Sequence, residues 1–136
     1  MKTIKFKFIA LLLLLAGIGG ACSVDDSDNY CFTTKPTGIL GVSGPATTVV
    51  NTPLTLNVTY TPYGSCGEFN AFSQTTVFPK EITLVVDYEG CQCPPTEELR
   101  MEPYVFTATT PGEYVLKFRT DDTANPFISR TITVTE

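Results

Sequence analysis

The sequence predicts an all-β sandwich of short strands, and three observations carry that expectation. Several segments alternate apolar and polar residues with a period of two, the mark of strands with one face buried. Clusters of Gly, Pro, Asn and Asp separate them at short intervals, as in VSGPA, VNTP, TPYGS, CQCPP, TTPGE and DDTANP. Beyond the N-terminal region no segment shows a helical period, and the 136 residues leave room for one domain rather than two. Short alternating strands with frequent turns in a chain of this size point to two packed sheets.

In chain order, the first element is not a strand. Lys2, Lys5 and Lys7 precede an apolar run from Phe8 to Ile18, and Gly19, Gly20 and Ala21 lead to Cys22. A basic head, a short apolar core and small exit residues read as a secretory signal peptide over residues 1–21. The apolar run falls short of the roughly 20 residues that a permanent membrane helix needs. SVDDSDNY follows Cys22, too polar to fold, so residues 22–36 are expected to form a tether and 37–136 the domain. In PLTLNVTY, Leu54, Leu56, Val58 and Tyr60 share one face. In EITLVVDY the inward set is Ile82, Leu84, Val86 and Tyr88. PYVFTAT supplies Tyr104, Phe106 and Ala108, and EYVLKF supplies Tyr114, Leu116 and Phe118. The last run, FISRTITV, offers Ile128, Ile132 and Val134; Arg130 interrupts its apolar phase and predicts a bulge or an edge position.

The stretch ending in Cys22 resembles the lipobox of bacterial lipoproteins. That resemblance implies cleavage after Ala21 and a diacylglycerol plus an acyl chain, such as palmitate, on Cys22. Gly19 stands where such boxes usually carry an aliphatic residue, and Gly19-x-Ala21 also suits ordinary signal peptidase. Cysteine parity is an independent argument: the chain has five, and lipid on Cys22 leaves four that can pair. Asp25, Asp26 and Asp28 resemble the acidic patch that directs some Gram-negative lipoproteins to the outer face of the outer membrane. The expected location is therefore the outer membrane, through a lipid anchor, facing the cell surface or the periplasm. Without the signal lysines, six basic residues stand against 14 acidic ones. That balance argues against nucleic acid as a partner, because phosphate contact needs clustered Lys and Arg.

TPGEYVLKF resembles the start of strand F in immunoglobulin-like domains, where a Gly turn leads into a tyrosine corner. The resemblance covers roughly residues 37–135 and implies an Ig-like, fibronectin-III-like, seven-stranded antiparallel β-sandwich. It also implies that the Tyr114 hydroxyl bonds back to nearby backbone. Leu116 occupies the position of the inter-sheet cysteine of antibody-type domains, and its partner falls near Leu56 or Val58. Seven strands are then expected at about 38–43, 53–60, 68–76, 81–89, 102–109, 113–119 and 127–135, running alternately down and up.

On that topology Cys31, Cys66, Cys91 and Cys93 converge on one end of the sandwich. In an extended EGCQCPP the side chains of Cys91 and Cys93 point to the same side. A bond between them would lie at the limit of normal geometry, so each is expected to take a different partner. Cys66 with Cys91 or Cys93, and Cys31 with the other, is the favoured arrangement; three pairings remain open. Zinc would need wider spacing and reduced thiols, and no metal or other cofactor is expected.

The chain has no histidine, which removes Ser-His-Asp and Cys-His arrangements and the usual proton shuttle. Glu97 with Glu98 and Asp121 with Asp122 are adjacent loop acids, more often solvated than catalytic. No catalytic residues are assigned. A binding role is expected instead, with Tyr63, Phe69, Phe72 and Phe127 near the cysteine-rich end as candidates for a protein or glycan ligand. The alternative use for the same aromatics is packing under the disulfides. Asp121, Asp122 and Asn125 have oxygen atoms suited to calcium, with solvation as the plainer reading. Two further functions fit the cysteines: an exported inhibitor of a protease or glycosidase presenting the 89–100 loop, and a thiol or copper(I) carrier using Cys91 and Cys93. Asn57-Val58-Thr59 and Asp122-Thr123-Ala124 match loose glycosylation patterns of low specificity.

Overall fold

β-Branched and aromatic residues fit a pleated, half-buried surface, and the alternating runs form strands throughout. The computed structural model describes residues 30–136; the expected signal peptide, Cys22, Asp25, Asp26 and Asp28 lie outside the described residues. Among the described residues nine strands follow one another: β1 (Phe32–Thr37), β2 (Ile39–Ser43), β3 (Thr47–Val49), β4 (Leu54–Tyr60), β5 (Gly67–Gln74), β6 (Lys80–Glu89), β7 (Arg100–Phe106), β8 (Gly112–Arg119) and β9 (Phe127–Thr135). A three-stranded sheet has the order β2-β4-β7, and a six-stranded sheet has the order β1-β6-β8-β9-β3 with β5 also paired to β6.

The inward-facing positions are the ones the alternation indicated. Leu54, Leu56, Val58, Tyr60, Tyr104 and Phe106 from the smaller sheet are buried with Ile82, Leu84, Val86, Leu116, Phe118 and Ile132 from the larger one. Leu116, Leu56 and Val58 are fully buried in this common core, where apolar contact does the joining of the sheets. The Tyr114 hydroxyl donates to the Thr110 carbonyl at 2.8 Å, so the expected corner bond is present.

Two expectations about strand number and direction need correction. The seven strands become nine because β1 and β3 carry no alternating apolar signal. β1, FTTKPT, lies at a sheet edge with only Thr37 buried, so nothing selected for apolar residues along it. It pairs with β6 from Phe32↔Glu89 to Thr37↔Leu84, which places Phe32–Pro36 in the sheet rather than in the tether. β3 is three residues long and pairs with the end of β9. The sheets are also not purely antiparallel: β6 with β8 and β3 with β9 are parallel. For β6 with β8 the cause is the down-and-up alternation from β4 to β9. β7 descends in the other sheet, so the two ascending strands on either side of it in sequence, β6 and β8, become neighbours that point the same way.

Arg130 has an edge position. β9 pairs with β8 without a shift, and β3 joins its other side only from Thr133. The guanidinium therefore reaches across the open stretch to donate to the Gly44 carbonyl at 2.9 Å.

Replacing Leu116 by Ala should lower the unfolding free energy by about 3 kcal/mol, whereas Val105→Ala, at an exposed position, should stay within about 0.5 kcal/mol. Urea titrations of the two variants check this; equal effects would contradict the assignment of faces.

Candidate functional site

The six-stranded sheet reaches further than its partner at one pole, and this unequal length builds the site. β1 passes into β2 through Gly38, where the chain crosses to the smaller sheet, and β2 begins opposite Tyr60, the last residue of β4. Thr33 and Lys35 sit on the inward face of β1, opposite Tyr88 and Val86, beyond the point where the smaller sheet stops. Polar residues are tolerated there because no second sheet covers them. The β4–β5 connection, residues 61–66, folds over part of the gap instead.

Four cysteines hold this pole together. Cys31 is bonded to Cys91 and Cys66 to Cys93, so of the alternatives left open by the sequence the structure selects these two. Their sequence separations are 60 and 27 residues. Loop closure of that size contributes about 4 and about 3.5 kcal/mol on the chain-entropy account. Both bonds fasten the β6–β7 connection, one to the start of β1 and the other to the β4–β5 loop. Backbone hydrogen bonds accompany each: Gly90 N–H to the Cys31 carbonyl at 2.8 Å, and Ser65 N–H to the Pro94 carbonyl at 2.8 Å. Gly64 approaches so closely that a Cβ there would lie 2.9 Å from the Cys93 Cβ. With all four sulfurs engaged, the premise of a reduced thiol or copper(I) carrier at Cys91 and Cys93 is removed.

A polar node lies beside the disulfides. Asp121 Oδ2 accepts from the Tyr63 hydroxyl at 2.7 Å and from the Gly38 N–H at 3.1 Å, tying three connections to one carboxylate. Any side chain at Gly38 would collide with it, since a Cβ would stand 2.4 Å from the Asp121 Cγ. Tyr63 N–H donates to the Tyr88 hydroxyl at 2.9 Å, and the two rings stack at 6.4 Å. Burial, then the hydrogen bond to Asp121 and its charge, push the Tyr63 hydroxyl up to about 12. Asp122 accepts from Asn125 Nδ2 and from Ala124 N–H, bonds that lower its carboxyl below the usual range. The two adjacent acids thus serve different partners, and among the described residues no group of three or more Cys, Asp or Glu side chains is arranged to hold a metal ion.

The four aromatic candidates do not form one surface. Tyr63 stands at the pole, 52% exposed. Phe69 and Phe72 lie within β5 and pack partly buried against the core, with Phe72 edge-on to Tyr104 at 5.3 Å. A register shift between Phe69 and Ala71 makes Asn70 an extra residue, which turns both phenylalanines inward. Phe127 begins β9 on the outer face, with Lys117 Nζ 5.7 Å from its ring centre. It also lines a shallow cavity with Ile39, Leu40 and Asp122.

A cleft of about 200 Å³ opens at the pole, lined by Thr33, Lys35, Tyr63, Gly64, Tyr88, Gly90 and Cys93. Sequence reasoning singled out Tyr63 and Cys93 but missed Thr33, Lys35 and Tyr88. Tyr88 was legible only as a core residue, and the two β1 residues fell in a segment without periodicity.

No protein-family model, curated protein sequence or solved structure matches the chain.

Because Tyr63 is held in its neutral form by the fold, its contribution to stability is complete below pH 10 and is lost as pH rises towards 12. The half-exposed ring keeps the effect small. Urea midpoints compared across that interval should fall more steeply for the native chain than for Tyr63→Phe; parallel slopes would contradict the assignment.

Proposed function

We propose that the chain is a non-catalytic lipoprotein of the outer membrane or cell surface, a single Ig-like module that binds a ligand at its cysteine-rich pole. One observation carries the anchor. Five cysteines are present and four are consumed by two disulfides, which leaves Cys22 with no cysteine partner in its own chain. A leftover cysteine directly behind a basic, apolar and small-residue sequence is the one placed to take lipid. Each buried methylene adds about 0.8 kcal/mol, so several acyl chains hold a domain that an acidic body could not hold by charge.

The Ig-like reading is supported by the Tyr114 corner bond and by Leu116 packing among Leu56 and Val58, where antibody-type domains carry a disulfide. A non-catalytic role is supported by the absence of histidine from the chain and by the separate engagement of Asp121 and Asp122. Intact-mass measurement of protein isolated from its own membranes tests the anchor. Three acyl groups on Cys22 are expected, together with a gain of four hydrogens on reduction; an unmodified Cys22 in the mature protein would overturn it.

A second reading is favoured by the β6–β7 connection. Leu99 is 67% exposed at the end of a segment fastened by both disulfides, the form of a rigid loop that docks at low entropic cost. As an inhibitor of a protease or glycosidase, the protein at micromolar concentration would slow such an enzyme, and Leu99→Ala would relieve the effect. A panel of hydrolases left at full rate would remove this reading.

A further inference from the structure

The cleft at the cysteine-rich pole has a specific chemical character. Lys35 is the only charged residue among those lining it, and neither the Lys35 ammonium nor the Thr33 hydroxyl has a hydrogen-bond or ion-pair partner among the described residues. Elsewhere on the body, Arg100 is paired with Glu68 and Glu98, Arg130 with a backbone carbonyl, and Lys80 and Lys117 lie over aromatic rings, while Arg119, like Lys35, has no such partner among the described residues. In a chain of net charge −5, an unpaired ammonium in a concave site selects for an anion.

The remaining walls narrow the choice. Tyr63 spends its hydroxyl on Asp121 and its N–H on Tyr88, so what it offers a ligand is the face and edge of its ring. Tyr88 is buried beneath it with its own hydroxyl engaged. Gly64 and Gly90 present backbone, and the Cys93 side chain, tied to Cys66, keeps one wall from moving. An aromatic face, a free hydroxyl and a lone cation around about 200 Å³ accommodate a single ring carrying hydroxyls on one side and a carboxylate.

We propose that this cleft binds an acidic sugar residue, a uronic acid, with its carboxylate on Lys35 Nζ, a ring hydroxyl on Thr33 and the apolar face of the pyranose against Tyr63. This gives the binding-module reading a ligand class and rests on that reading, but not on the anchor. β1 supplies both polar contacts, and its outer end is fastened to the body by Cys31–Cys91. The same bond that holds the edge strand thus holds the recognition wall in place.

Amide NMR of the native protein with disulfides intact, titrated with glucuronate, glucose and acetate, tests the assignment. Glucuronate should shift Thr33, Lys35, Tyr63, Gly64 and Gly90 saturably, with glucose and acetate at least tenfold weaker. Lys35→Gln, at an exposed edge position, should fold as the native chain does and lose at least tenfold in affinity. The proposal is overturned by any of three results: no saturable shift by ~50 mM, far above the ~1 mM that marks weak specific binding; an equal response to glucose or acetate; or an unchanged affinity in Lys35→Gln. The mass of Cys22 is unaffected by any of these outcomes, so failure here and failure of the anchor are separately visible.

Discussion

The connection from β6 to β7 carries the chain from the larger sheet to the smaller one without regular structure of its own, and its covalent fastening is the constraint on which the pole depends. Long irregular segments order at a cost of about 1–2 kcal/mol per residue, and this one has few apolar side chains to offset it. Cys91 and Cys93 solve the problem from opposite directions. The first bonds to Cys31 and pins the beginning of β1, which buries almost nothing. The second bonds to Cys66 and draws the β4–β5 loop over the end of the core. Two sulfurs one residue apart therefore join three pieces of chain that apolar packing alone would leave loose.

The cleft is a consequence of the same arrangement. Because β1 overruns the smaller sheet and the loop at 61–66 covers only part of the overhang, a concave space is left between them. Its floor is rigid because Tyr63 and Tyr88 are locked by Asp121 and by one another. Aromatic walls held in this way cost little to reorganise, which suits the proposed binding role. The proposed anchor and the cleft are close in the chain. Cys31 lies nine positions after Cys22, so a lipid on the latter would keep the pole within roughly 30 Å of the bilayer.

Wherever two faces of a strand met different surroundings, the pattern of residues was readable. Leu54, Leu56, Val58 and Tyr60 are inward, as their spacing indicates, and so are Ile82, Leu84, Val86 and Tyr88. The corner at Tyr114 was expected from the resemblance of TPGEYVLKF to the start of an Ig-like strand F, and the hydroxyl does reach the Thr110 carbonyl. β1 and β3 were not readable, since an edge strand facing solvent on both sides has no reason to alternate. Phe69 and Phe72 stood as ligand candidates because a bulge, which breaks the period of two, hides their common inward face. Asp121 looked like an oxygen donor for a cation; its true partners, Gly38 and Tyr63, are 83 and 58 residues away.

Residue order by itself determined an all-β body, the inward rows of its main strands and the meeting of four cysteines at one pole, because these follow from side-chain period and from the alternation of strand direction. Which cysteine joins which, the parallel pairing of β6 with β8, and the cleft between β1 and Tyr63 were decided only in three dimensions. They depend on how far one sheet outruns the other and on distances between segments remote in the chain, and local chemistry carries no record of either.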